Sequence, residues 1–258
     1  SFGAGGSDMY LVKTDDNGNF DWAKAYGGTG DDGANSVTET SDGGYIMAGY
    51  TESFGGGGYD MYVVKTDASG VIDWTMAYGG ALDDRAYSIV ELAGGGYTIA
   101  GGTSSTGAGN TDVYVVNIDA NGAVQWTQTY GGSGYDYGYD IKVTSDGGYI
   151  IAGYTMSFGA GKADAYLIKT DATGTTLWTK VMGGDGDDAA WAVIETASGY
   201  ALTGNTESFG SGQQDVYFVL TYATGTPTVT RAISRSPHDY GNDSFQPTAG
   251  CPSLPAPS

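Results

Sequence analysis

The sequence predicts an all-β fold assembled from repeated sheets, and three observations carry that prediction. A 52-residue unit recurs along most of the 258 residues, each unit holds four short strand-like runs, and Gly and Asp clusters separate those runs. The tryptophans mark the period at Trp22, Trp74, Trp126 and Trp178, and Gly-Gly pairs keep it at 27–28, 79–80, 131–132 and 183–184. The segment Ser1-Phe2-Gly3 returns at Ser53, Ser105 and Ser157, and then at Ser208 after the loss of one residue. Four complete units and a partial fifth result.

The second unit shows the elements in order. Asp60–Thr66, Val71–Tyr78, Ala86–Leu92 and Tyr97–Thr103 are short and rich in Val, Ile, Tyr and Thr, as strands are. The turn after the first run begins with Asp and ends with Gly in four copies: Asp15 to Gly18, Asp67 to Gly70, Asp119 to Gly122 and Asp171 to Gly174. Aspartate accepts backbone N–H bonds at a turn entry and glycine supplies the positive φ at its exit. A second turn recurs as Asp42-Gly43-Gly44, Gly94-Gly95-Gly96 and Asp146-Gly147-Gly148, shrinking to Ser198-Gly199. Both read as hairpin loops, which makes successive strands antiparallel neighbours. No run shows a helical apolar period.

Four antiparallel strands in some 50 residues, repeated about five times, predict a β-propeller of about five four-stranded blades. The repeated tryptophan then fills space between blades. A β-solenoid is the alternative, though its coils are shorter and carry fewer hairpin signals. The repeat domain spans 1–233, with a half-blade at 1–28 and blades at about 29–80, 81–132, 133–184 and 185–233. Thr226–Ile233 is the degenerate last strand, without a tryptophan. Residues 234–258, with Pro237, Pro247, Pro252, Pro255 and Pro257, form an irregular tail outside the pattern.

The string Trp-x-x-x-Tyr-Gly-Gly, an acidic pair, Asp-Gly-Gly-Tyr-Ile-x-Ala-Gly-Tyr-Thr, Ser-Phe-Gly and Asp-x-Tyr-Leu-Val-Lys-Thr-Asp resembles the bacterial and archaeal secreted β-propeller (SBBP-type) repeats. The likeness covers residues 1 to about 225 and is strongest at 146–171. It implies a propeller fold and an extracellular, secreted or cell-surface location. It implies no particular activity.

Thirty acidic against ten basic residues give a net charge of −20, which repels nucleic acid and anionic lipid and attracts cations. No apolar run approaches the roughly 18 residues of a membrane helix. The chain opens at Ser1 with no signal-like apolar segment, as a processed or truncated product does. The single histidine, His238, and the single cysteine, Cys251, both lie in the tail, so nucleophilic triads have no material in the repeats. The acidic pairs recur in each unit, whereas an active site occurs once. No enzyme is expected.

Recurring carboxylates are the candidate metal ligands: Asp31, Asp32, Asp83, Asp84, Asp136, Asp187 and Asp188, with Tyr135 breaking the pattern in the third copy. A second series, Asp8, Asp60, Asp112, Asp164 and Asp215, precedes a strand in every unit. Calcium takes about six to eight oxygens from flexible loops, and such residues could supply them. Turn capping explains the same recurrence. Calcium is the candidate cofactor, and the fold requires none. Tyr26, Tyr78, Tyr130, Tyr50 and Tyr154 are the candidates for stacking on a glycan, with strand packing as their other reading. Asn242-Asp243-Ser244 is a glycosylation sequon.

These readings predict a non-enzymatic extracellular structural or interaction module, surface-displayed or self-assembling through an open blade edge. The alternative is a calcium-dependent or carbohydrate-binding, lectin-like propeller. Its partners would be further copies of itself or cell-surface proteins and glycans, not nucleic acid.

Overall fold

The structure is a computed structural model that describes Gly3, residues 5–211 and residues 213–233. The tail, with His238, Asn242 and Cys251, lies outside the described residues. Eighteen strands and no helix form among the described residues. β1 (Met9–Thr14) and β2 (Phe20–Tyr26) form a two-stranded sheet. Four four-stranded sheets follow: β3 (Asp32–Glu39) to β6 (Ile72–Tyr78) through β4 (Tyr45–Thr51) and β5 (Asp60–Thr66); then β7 (Asp84–Glu91), β8 (Tyr97–Thr103), β9 (Asp112–Ile118) and β10 (Val124–Tyr130). The third holds β11 (Asp136–Val143), β12 (Tyr149–Thr155), β13 (Asp164–Thr170) and β14 (Thr176–Met182). The fourth holds β15 (Asp188–Thr196), β16 (Gly199–Thr206), β17 (Asp215–Tyr222) and β18 (Pro227–Ile233).

Every neighbouring pair of strands is antiparallel and consecutive in the chain, so each sheet is a self-contained meander. Stacked solenoid coils would pair strands in parallel instead. The chain is a β-propeller. The first strands β3, β7, β11 and β15 pack on one another from sheet to sheet, which puts them at the axis and the fourth strands at the rim. Extensive packing among the described residues joins consecutive sheets.

The turns form as their residues dictate. Asp67 Oδ1 accepts the N–H groups of Ser69 and Val71 at 2.8 and 2.9 Å, and Gly70 closes the turn at φ +75°. Asp15, Asp119 and Asp171 accept the equivalent pairs of bonds.

Apolar cores lie between sheets. Ile46, Ala48, Met61 and Val63 of one sheet pack against Ile89, Ile99 and Val116 of the next. Ile150, Ala152 and Leu167 meet Val193, Leu202 and Val219 in the same way. At the rim each tryptophan reaches the following sheet: Trp22 meets Tyr45, Trp74 meets Tyr97, Trp126 meets Tyr149 and Trp178 meets Tyr200, with ring centroids 5.8 to 6.2 Å apart. No helix of the described residues is long and apolar enough to cross a membrane.

Candidate functional site

Each first strand carries a β-bulge at the same place, where its register slips against the second strand: between Ala34 and Ser36, Ala86 and Ser88, Gly138 and Asp140, and Ala190 and Ala192. A bulge leaves one residue out of the ladder and re-aims its side chain. The four extra residues are Asn35, Tyr87, Tyr139 and Trp191, and together they line one cleft of about 550 Å³ near the axis.

The cleft is aromatic on most of its circumference. Tyr139 lies 4.3 Å from Trp191 and 4.9 Å from Tyr87, centroid to centroid. Tyr137 stacks on Tyr139 at 6.2 Å with the planes within 7°, and Tyr154 closes on both at 5.3 and 5.8 Å. Polar bonds fix the two ends of the row. Asn35 Nδ2 donates to the Ala86 carbonyl at 2.7 Å, and Trp191 Nε1 donates to Asn205 Oδ1. Burial, then the neighbouring Tyr154, pushes the Tyr139 phenol well above its ordinary range; burial likewise raises Tyr154 to about 12. Burial raises the Tyr87 phenol too, so Tyr87, Tyr139 and Tyr154 are neutral hydrogen-bonding groups at physiological pH.

A second cavity of about 310 Å³ shares Tyr87 and adds Arg85, Asp83, Thr111 and Tyr137. The Arg85 guanidinium sits 3.9 Å over the Tyr59 ring and 5.1 Å from that of Tyr50, a cation–π arrangement. Gly102 occupies the repeat position held elsewhere by Tyr50 and Tyr154, and a Cβ there would come within 2.7 Å of the Tyr137 ring. Tyr137 therefore fills space that the glycine leaves.

Of the tyrosines expected to stack on a sugar, the fold packs Tyr154 against Tyr139 of the cleft and sets Tyr50 beside Arg85 and Tyr59. Tyr26, Tyr78 and Tyr130 are a correction. They are buried between sheets, 4 to 8% exposed, and their hydroxyls donate to the carbonyls of Gly70, Gly122 and Gly174 at 2.6 to 2.8 Å. Their role is to bolt one blade to a turn of the next. Asn35, Tyr87, Tyr137, Tyr139 and Trp191 were not among the expected residues. A signal for four of them exists: positions 35, 87, 139 and 191 share one place in the repeat and carry Asn, Tyr, Tyr and Trp.

The acidic pairs divide between two tasks, because consecutive residues of an extended chain point opposite ways. Asp31, Asp83 and Asp187 cap backbone: their Oδ1 atoms accept the N–H of Ser7, Tyr59 and Ala163 at 2.7 to 3.2 Å. At Tyr135 this cap is absent, and the Gly134 carbonyl accepts the equivalent N–H, that of Thr111, at 3.4 Å together with that of Asn110 at 3.1 Å. Asp32, Asp84, Asp136 and Asp188 are fully buried. Their Oδ2 atoms accept an N–H from Gly28, Gly80, Gly132 and Gly184 and a hydroxyl from Ser53, Ser105, Ser157 and Ser208. The expected grouping of adjacent acids is therefore corrected. The fold sets Asp84 beside Asp60 of the preceding sheet, not beside Asp83. No group of three or more acidic, His or Cys side chains gathers as a metal site among the described residues.

No family model and no curated protein matches the sequence. Among solved structures the chain is similar to the WD40 domain of Neurospora crassa Pan2, at 11% identity and a TM-score of 0.45, over 78% of this chain and 66% of that one. It is also similar to an α-L-arabinofuranosidase from Clostridium thermocellum, at 10% identity and a TM-score of 0.45, over 89% of this chain and 85% of that one.

Proposed function

We propose that this propeller is a non-enzymatic extracellular interaction module whose axial cleft binds a saccharide. One observation carries the reading: four blades each contribute a bulged residue to a single cleft, and three of those residues are Tyr or Trp. Flat rings present an apolar face to the C–H face of a sugar, while the neutral phenols of Tyr87 and Tyr139 supply directed hydrogen bonds. The resemblance to secreted repeats and the charge of −20 support an extracellular setting. Calorimetry and a glycan array on the full chain test the reading. Wild-type protein should bind at least one saccharide class, Trp191→Ala should abolish that binding and Tyr139→Ala should weaken it, with melting temperatures held. No hit for wild type, or hits that survive both substitutions, would remove the proposal.

A second reading, assembly through an open sheet edge, rests on a different observation. The first sheet ends at β1, where the others carry two further strands. Val12 on β1 is 46% exposed, while Val64 at the same place on β5 is wholly buried. A strand from a second copy would cover it. Concentration-dependent growth in light scattering, reversed by Val12→Lys, supports this reading; a constant monomer mass removes it.

A further inference from the structure

The joints between sheets hold pairs of aspartates that backbone capping uses only in part: Asp60 Oδ2 accepts the Gly56 N–H, and Asp112 Oδ2 accepts those of Ala108 and Gly109. Within each sheet an Asp, a Thr and an Asp face one another across the first three strands: Asp32, Thr51 and Asp60; Asp84, Thr103 and Asp112; Asp136, Thr155 and Asp164; Asp188, Thr206 and Asp215. Between sheets the third-strand acid meets the first-strand acid of the next. A Cβ on Gly79 would collide with Asp60 Oδ1 and Asp84 Oδ2 at once; Gly131 stands so between Asp112 and Asp136, Gly183 between Asp164 and Asp188, and Gly27 between Asp8 and Asp32. Two carboxylates therefore flank one glycine at each joint, an oxygen of each against its backbone. A backbone bond clamps them there: the Asp84 N–H donates to the Tyr59 carbonyl at 2.6 Å, and Asp32, Asp136 and Asp188 donate likewise.

These are buried sites without a paired cation. Asp32, Asp60, Asp84, Asp112, Asp136, Asp164 and Asp188 are each at most 2% exposed. Asp32, Asp84, Asp136 and Asp188 each keep a buried Oδ1 with no hydrogen-bond partner, as does Oδ2 of Asp164. None of the ion pairs among the described residues reaches them. Two facing carboxylates without a counter-charge in such a place are costly. The donors are all oxygen, which suits a hard cation and excludes soft-metal selection.

We propose that each joint between consecutive blades binds one hard divalent cation of the calcium class, held by Asp60 with Asp84, Asp112 with Asp136, Asp164 with Asp188, and Asp8 with Asp32. No third acid is needed, because calcium completes its shell of about six to eight oxygens with carbonyls and water. The ion would sit where one sheet meets the next, tying blades together rather than contacting a ligand in the cleft. It stands or falls independently of saccharide binding.

The test uses the full chain washed with chelator. Calcium chloride is titrated against thermal melting, calorimetry and displacement of terbium luminescence, with sodium chloride at matched ionic strength as the control. The expected result is a saturable rise in melting temperature at one ion per joint, with Asp84→Asn losing one ion. Asp112→Asn reports the next joint, so a folding failure in one variant leaves the other to decide. Two results would overturn the proposal. One is a rise that sodium chloride reproduces, which marks screening of surface charge. The other is no calcium heat and no terbium signal, with Asp84→Asn melting above wild type in chelator, which marks a pair sharing a proton.

Discussion

Lys65 Nζ lies 2.9 Å from Asp42 Oδ2 and 3.0 Å from the Thr66 carbonyl, with its side chain only 4% exposed, so a buried cation is answered by a carboxylate on the neighbouring turn. Lys169 and Asp146 repeat the pair. In the second full blade Asn117 replaces the lysine and Gly94 replaces the acid, and Asn117 Nδ2 donates to Thr98 Oγ1 at 2.8 Å instead. Charge and counter-charge were exchanged together.

That exchange predicts a coupling. Asp42→Gly should cost about 1–2 kcal/mol, since the aspartate side is largely solvated and its contribution is screened. Lys65→Asn alone should cost a similar amount. The double substitution Asp42→Gly with Lys65→Asn should cost less than the two single effects together. Denaturant titration of the four proteins checks it; simple additivity would contradict the pairing.

Acid stability has a marker in the equivalent turn. The Thr144 hydroxyl, the Gly148 N–H and Lys169 together hold the Asp146 carboxyl down to about 2. A depressed carboxyl contributes stability above its unfolded value of about 3.9, and that contribution drains as pH falls through the folded value. Melting temperatures should therefore drop between about pH 4 and pH 2, and Asp146→Asn should flatten that part of the curve.

Two glycines in positive-φ turns make a controlled comparison. Gly43 has φ +82° with open space where a Cβ would go, so Gly43→Ala should cost about 1 kcal/mol of backbone strain. Gly70 has φ +75°, and its Cβ would lie 2.8 Å from the Trp22 ring. Gly70→Ala should be clearly the more destabilising in urea, since it also pushes the tryptophan off its neighbour.

Removing one hydroxyl tests the bolts between blades. Tyr78→Phe leaves the buried Gly122 carbonyl without its 2.7 Å donor and should lower stability by about 1–2 kcal/mol. Saccharide binding, if carried by the cleft, should not change. Trp191→Ala should give the reverse pattern.

The strands were legible because their signals are local. Asp60–Thr66 and Tyr97–Thr103 form with the boundaries that their β-branched runs and flanking turns mark, and β6 begins one residue later than its run, at Ile72. The β7 strand starts earlier than its apolar run, at Asp84, because that residue's N–H bonds to Tyr59 of the preceding sheet, a contact 25 residues away in sequence. The cleft was hidden for a related reason. Plain alternation along Ala86, Tyr87 and Ser88 fails at the bulge, where Ala86, Ser88 and Ile89 are all buried and Tyr87 turns to the axis. Adjacent acids drew attention as pairs, yet strand geometry separates neighbours, and only sheet stacking reveals that Asp84 belongs with Asp60.

On the proposed reading, the bulged residues also divide labour between scaffold and recognition. Each blade presents one side chain to the cleft from a position that bears none of the rim's tyrosine bolts or the joints' aspartates. Selection can thus rewrite Asn35, Tyr87, Tyr139 and Trp191 singly, like tumblers in a lock, while the barrel that houses them stays in register. Duplicating or shuffling whole units would permute the tumblers without rebuilding the housing, which makes new specificities reachable by recombination alone.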